Sequence, residues 1–170
     1  MGITARLKEA KAAGGNRVYF GEGQHIARVD AVKFDETRKH VEMFASEFTI
    51  MATDSKAPGM QPGSRVDYAC LTTNDMYDSN IKSFMMALLR MNEMEFNATD
   101  EKGLDKMIKD ATEKEQKYCG RCVEVSCVAG EDGRIFPRFT KINAQDEALV
   151  LKQYAAQKAA AAGNGAATAA

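Results

Sequence analysis

The run Gly120-Arg-Cys-Val-Glu-Val-Ser-Cys-Val-Ala-Gly-Glu-Asp-Gly-Arg-Ile-Phe-Pro-Arg-Phe-Thr-Lys-Ile142 leaves this chain few ways to fold. It predicts two strands joined by the tight turn Gly130-Glu-Asp-Gly133, because Asp-Gly supplies the positive backbone angles a hairpin needs. The return strand carries Arg134, Phe136, Arg138, Phe139 and Lys141. Cations follow phosphates and rings stack on bases, so this mixture suits single-stranded nucleic acid. Side chains alternate along a strand, so Phe136 and Phe139 have opposite parity and one of them is expected outside the core.

Upstream, residues 18–34 predict a long strand, with Gly21 and Gly23 punctuating its start. Its apolar phase slips near Arg28–Val29, which predicts a bulge, the device that bends one strand around a barrel. After a polar turn at 35–39, residues 40–53 read as a second strand. Val41, Met43 and Ala45 fall on one face and Phe44, Phe48 and Ile50 on the other. A loop with two Pro-Gly breakers spans 54–63, and Val66, Tyr68 and Cys70 alternate in a third strand over 64–73. Helical spacing of Ile81, Phe84, Met85 and Leu88 predicts a helix over 80–91, with Asp78 or Ser79 as its cap. A second helix is expected at 101–117 and a last one, rich in Ala, at 144–162.

The fold class expected is therefore mainly β with helices: a five-stranded OB-like barrel, a helical insertion between strands 3 and 4, and a C-terminal helix. An antiparallel meander with helices on one face gives the same string of elements; the bulge and the long first strand favour the barrel. The domain reading is a basic N-terminal arm at 1–17, the barrel at 18–143, the helix at 144–162 and a disordered Ala/Gly tail at 163–170. The arm holds Arg6, Lys8, Lys11 and Arg17 and reads either as a frayed start or as a segment touching DNA or a neighbouring subunit.

With 23 Lys and Arg against 24 Asp and Glu, no overall basic excess points to nucleic acid, so the argument rests on local placement. No apolar run is long enough to span a membrane and the start lacks a secretory stretch, so a cytoplasmic location with reduced thiols is expected. No tryptophan is present, which excludes a surface built on Trp stacking.

Catalytic motifs are absent from the reading. Cys119-Gly-Arg-Cys122 could be half of a zinc site or a redox pair, but Cys70, Cys127, His25 and His40 supply no second close pair. The pair follows a helix and precedes a strand, whereas a redox thiol uses a helix N-terminus. Buried, inert thiols are the preferred reading, and Cys122 and Cys127 are expected on opposite strand faces. Gly21-Glu-Gly-Gln-His-Ile26 lacks the spacing and the lysine of a phosphate loop. No catalytic residue, metal or cofactor is expected.

Several segments together resemble phage-type single-stranded DNA-binding proteins with an OB fold. They are Gly21–Ile26, Val41–Phe48, Pro62–Val66, Asn80–Leu89 and Cys119–Val125. The resemblance spans roughly 18–143 and is one of layout and character. It implies a non-catalytic protein that coats and protects single-stranded DNA during replication or recombination. Homo-oligomers and replication or recombination proteins are implied as further partners, with no membrane. Many members end in an acidic tip that recruits enzymes, whereas Ala160–Ala170 carries no charge. The stacking candidates are Phe34, Phe44, Phe48, Tyr68, Phe136 and Phe139; the phosphate candidates are Arg28, Lys33, Arg38, Lys39, Arg65, Arg134, Arg138 and Lys141. The rival reading is a structural β-domain of a virion, with both faces of strand 2 buried against other subunits.

Overall fold

A computed structural model describes residues 18–167, with side chains to residue 164; the basic arm expected at 1–17 lies outside the described residues. The elements are strands β1 (Gly23–Glu36), β2 (Glu42–Thr53) and β3 (Arg65–Leu71), then helices α1 (Tyr77–Leu89), α2 (Glu93–Ala98) and α3 (Glu101–Thr112). Strands β4 (Cys122–Ala129) and β5 (Ile135–Lys141) follow, and helix α4 (Ala144–Ala167) ends the chain. The strands form one antiparallel, open sheet in the order β3-β2-β1-β4-β5. Among the described residues no helix is long and apolar enough to cross a membrane.

β1 organises the sheet. Its first part, Gly23 to Arg28, pairs with β4 on one side, while β2 runs along the other side from His25 to Glu36. The expected bulge is present. Register shifts occur between Ile26 and Ala27, where β2 has the extra residue Met51, and between Val29 and Ala31, where Asp30 is extra. Crossing the second shift moves the inward set from Ala27 and Val29 to Val32, which is the phase slip written in the sequence. Where β4 ends, Gln116 takes over as partner to β1. Its side-chain amide accepts from Val32 N and donates to Val32 O, each at 2.8 Å.

The strand expected from residue 18 breaks at its glycines. Gly23 has φ +133°, a conformation that disfavours side chains, and a Cβ on Gly21 would sit 2.5 Å from Ala57 Cβ. Val18 to Phe20 instead cross to β3, where Tyr19 lies opposite Asp67 in a parallel bridge. Asp67 N donates to Val18 O at 2.8 Å, and Phe20 enters the core.

The core is a cluster of rings. Phe139 of β5 lies 4.9 Å from Tyr68 of β3, 5.9 Å from Phe48 of β2 and 5.2 Å from Phe84 of α1, by ring centroids. β3 and β5 are the two ends of the strand order, so the sheet curls until its outer strands meet through side chains. α1 fills this opening with Phe84, Met85, Ala87 and Leu88.

The helices differ from expectation in their limits. α1 starts at Tyr77, not 80, and neither Asp78 nor Ser79 caps it. Asn74 starts the turn earlier by accepting from Met76 N with its side chain, a local bond that competes for the backbone. α2 was not expected. Its signal is a capping box: Asn92 accepts from Glu95 N at 2.8 Å, and Glu95 accepts from Asn92 N at 2.7 Å. α3 stops at Thr112, because Gln116 turns back with φ +45° to reach β1. α4 runs on through Gly163 to Ala167, beyond the end expected at 162 and into the tail expected to be disordered. Alanine has the highest helix propensity, and the two glycines of this stretch cost only about 1 kcal/mol each.

α4 lies over the opposite sheet face. Val150 joins Met51, Cys122 and Ile142 in a small second core, with Leu151 and Tyr154 at its margin. Glu147 accepts from Cys122 N at 2.6 Å and pairs with Arg90.

The arrangement predicts opposite outcomes for two phenylalanines three residues apart on β5. Replacing Phe139 with Ala is expected to cost about 3–5 kcal/mol in urea unfolding, because it empties the ring cluster. Phe136→Ala is expected to stay within about 0.5 kcal/mol, as for other surface substitutions.

Candidate nucleic-acid interface

Curling the sheet sorts the sequence-derived rings. Phe44, Phe48, Tyr68 and Phe139 are all buried, so these four belong to the core and not to a stacking surface. The reason is parity: each points to the inside of the curl, where α1 covers it. Burial raises the Tyr68 phenol pKa above its ordinary value, with the nearby Cys70 adding to the shift.

Phe34 stays 48% exposed but sits against Phe44 at 5.4 Å in an acidic recess of about 620 Å³. Asp35, Glu36 and Glu42 line that recess with Met43 and Tyr77, and carboxylates there oppose a phosphate backbone. Lys33 is 3.9 Å from Asp35, and Arg38 and Lys39 are exposed on the turn beyond the strand end.

Arg28 and Arg65 meet on the outer face of β1–β2–β3. Arg28 Nε donates to Asp30 at 2.8 Å and Nη2 to Thr49 Oγ1 at 3.3 Å, while Thr49 Oγ1 donates to Asp30 at 2.5 Å. The hydrogen bond to Asp30 is the main reason the Arg28 pKa rises. The cleft here, about 260 Å³, holds Arg28 and Arg65 against Asp30, Glu47 and Asp67. Its cations are therefore matched by carboxylates, and Arg28 in particular is committed within the fold.

The β4–β5 hairpin is different. The turn forms as expected: Gly130 N donates to Arg134 O at 2.8 Å, Gly133 N to Gly130 O at 2.9 Å, and Gly133 has φ +77°. Phe136 points outward, 54% exposed, and pairs across the strands with Val128, 55% exposed. Its ring edge lies over Gly130, where a Cβ would be only 2.6 Å from the ring. Next along β5 on the same face, Arg138 is exposed opposite Ser126. Ser126 accepts from Gln24 Nε2 at 2.9 Å, which carries the surface onto β1. Arg134 projects beside the turn, 81% exposed, and pairs with Asp132 at 3.2 Å. Lys141 is exposed at the far end of β5, opposite Val123.

No family model matches this chain, and no curated protein matches it.

The structure thus brings Arg134, Phe136 and Arg138 onto one hairpin and leaves Lys33, Phe34, Arg38 and Lys39 at the other end of β1, beyond the reach of β4. Sequence reasoning passed over Val128, Gln24 and Ser126. The signal for Val128 was available: counting back from the Gly130–Gly133 turn places it opposite Phe136. Gln24 and Ser126 could not be found that way, since they are 102 residues apart. Tyr19, 54% exposed, was hidden because the crossing to β3 has no sequence mark beyond its glycines.

The thiols carry no sign of reactivity. All four cysteines are free, and Cys122 and Cys127 lie in separate clusters on opposite faces. Burial pushes Cys122 up to about 11 and Cys127 up to about 12, and raises Cys119 as well. Thiolate chemistry needs the reverse shift. Among the described residues no group of three or more His, Cys, Asp or Glu is placed to hold a metal ion. Because the folded thiols hold their protons more tightly than unfolded ones, stability is full below the ordinary thiol pKa of 9.0 and falls as pH rises towards 12. Urea midpoints measured at pH 8 and pH 10.5 are expected to show that fall, and Cys127→Ala is expected to reduce the dependence.

Proposed function

We propose that this protein binds single-stranded DNA, without catalysis, through the outer face of its β4–β5 hairpin. The observation that carries the reading is Phe136, more than half exposed, on the same face as Arg138 and opposite Val128. An exposed ring stacks on a base whatever its identity, and a guanidinium beside it meets the phosphate. The polar pair Gln24–Ser126 offers hydrogen bonds to sugar or base edges on the next strands. Arg134 sits at the turn with its charge shared by Asp132, so Arg138 is the stronger phosphate contact of the two.

The same proposal covers the fold. A strand order of β3-β2-β1-β4-β5, a bulged first strand shared by two neighbours and a helix after β3 filling one opening support an OB barrel. It also covers the setting: a phage-type protein of replication or recombination, acting in the cytoplasm of a host cell. The virion reading had rested on the two apolar faces of β2. Of those faces, Phe44, Phe48 and Ile50 lie in the main core, whereas Val41 and Met43 on the other are half-buried and Ala45 is buried.

A fluorescent oligo-dT titrated at low salt tests the proposal. Binding is expected to weaken as salt rises, because cations that meet phosphates release counterions. Phe136→Ala is expected to cost about 1–3 kcal/mol of affinity. Arg138→Gln is expected to reduce the slope of log K against log salt by about 0.7, the value for one phosphate contact on a single strand. Phe34→Ala, in the acidic recess, is expected to leave both unchanged. Absence of binding at low salt overturns the reading.

A further inference from the structure

The Cys119–Cys122 loop presents an arginine, and that arginine has an unusual neighbourhood. Arg121 is half-buried; its guanidinium lies 4.7 Å from the Tyr118 ring centroid, and Nη1 donates to Leu88 O at 2.9 Å. That is the guanidinium's only hydrogen bond among the described residues, although it has five N–H donors. Arg90, the C-cap of α1, is held beside it: φ at Arg90 is +61°, and its side chain turns towards the start of α4. Arg121 reaches Leu88 O, only two residues before Arg90 at the same helix end. Burial is the first cause that lowers the Arg121 pKa, and the charge of Arg90 is the next.

One carboxylate lies at this junction. Glu147, only 13% exposed, pairs through Oε2 with Arg90 and accepts from Cys122 N through Oε1, so both its oxygens are engaged. The junction therefore keeps one positive charge in excess. It also keeps an orphan donor: Arg90 Nε is buried with no acceptor among the described residues. A buried N–H without a partner costs about 1–3 kcal/mol, which a bound acceptor would recover.

We infer that Arg90 and Arg121 form a site for one phosphate-type oxyanion at the junction of α1, β4 and α4. Guanidiniums suit this ligand, since their donors match its oxygens two at a time. The phosphodiester of a bound strand and free inorganic phosphate share that chemistry. The site stands apart from the hairpin surface, and its test with inorganic phosphate does not depend on DNA binding.

The test is a titration of the ¹⁵N-labelled full-length protein with inorganic phosphate at constant ionic strength, with chloride as control. Saturable shifts are expected at the Arg121 and Cys122 amides and at the Arg90 Nε–H. Arg121→Lys keeps the charge but loses the fork, and is expected to weaken binding about tenfold. Glu147→Gln removes the competing charge while its new amide oxygen can still accept from Cys122 N, and is expected to tighten binding. A purely structural ion pair gives no such gain. Shifts that chloride reproduces, or that Arg121→Lys leaves unchanged, overturn the inference; so does a folded Glu147→Gln variant that binds no more tightly. A second arm uses oligo-dT. If it moves the same signals, the oxyanion is the strand's phosphodiester; if only inorganic phosphate does, it is a free anion. Silence in both arms defeats the site.

Discussion

Phe139 is the contact on which the shape of this protein depends. Hydrogen bonds alone would leave an open sheet with β3 and β5 at its edges. One ring on β5 touches Tyr68 on β3, Phe48 on β2, Phe84 on α1 and Phe20 ahead of β1. Curling the sheet around that ring removes apolar surface from four segments at once, and edge-to-face contacts add to the burial. The curl also decides the two sides of β5. Once Phe139 points in, Phe136 and Arg138 must point out.

Two devices make the curl attainable. The bulge at Asp30 lets β1 change direction while keeping its inward set apolar on both sides of the bend. Gln116 then satisfies the backbone of Val32 where β4 can no longer follow. Without it, a buried strand edge would be left with unmet donors and acceptors. The bulged residue does not go to waste either, because Asp30 anchors Arg28 and Thr49 on the outer face.

Charge is distributed unevenly over this frame, which a net charge of -1 conceals. The far end of β1 is acidic around Phe34, and the β1–β2–β3 face balances its arginines with carboxylates. Around Phe136 and Arg138 the cross-strand partners are Val128 and Ser126, which carry no charge. At the foot of α4, Glu147 pairs with Arg90 and accepts from Cys122 N, while Arg121 bonds only a backbone carbonyl through its guanidinium. Position rather than number separates the cations that hold the fold together from those left over for a ligand.

Much of this was written locally in the chain. Alternation, glycine-bearing turns and helical spacing mark every strand and the helices other than α2, and the phase slip near Arg28–Val29 announced the bulge, because each depends on residues only a few positions apart. The opposite parity of Phe136 and Phe139 followed from the pleat for the same reason. What the sequence could not decide was which rings the curl would enclose. Phe44, Phe48 and Tyr68 stood among the stacking candidates although any single phenylalanine is more often core, and contacts with Phe84 and Phe139, distant in the chain, put them inside. The crossing of Val18–Phe20 to β3, the Gln116 clamp 84 residues from its partner and the meeting of Arg90, Arg121 and Glu147 are likewise tertiary facts. Local periodicity reports a residue's neighbours along the chain, whereas burial and charge balance depend on neighbours that folding alone brings near.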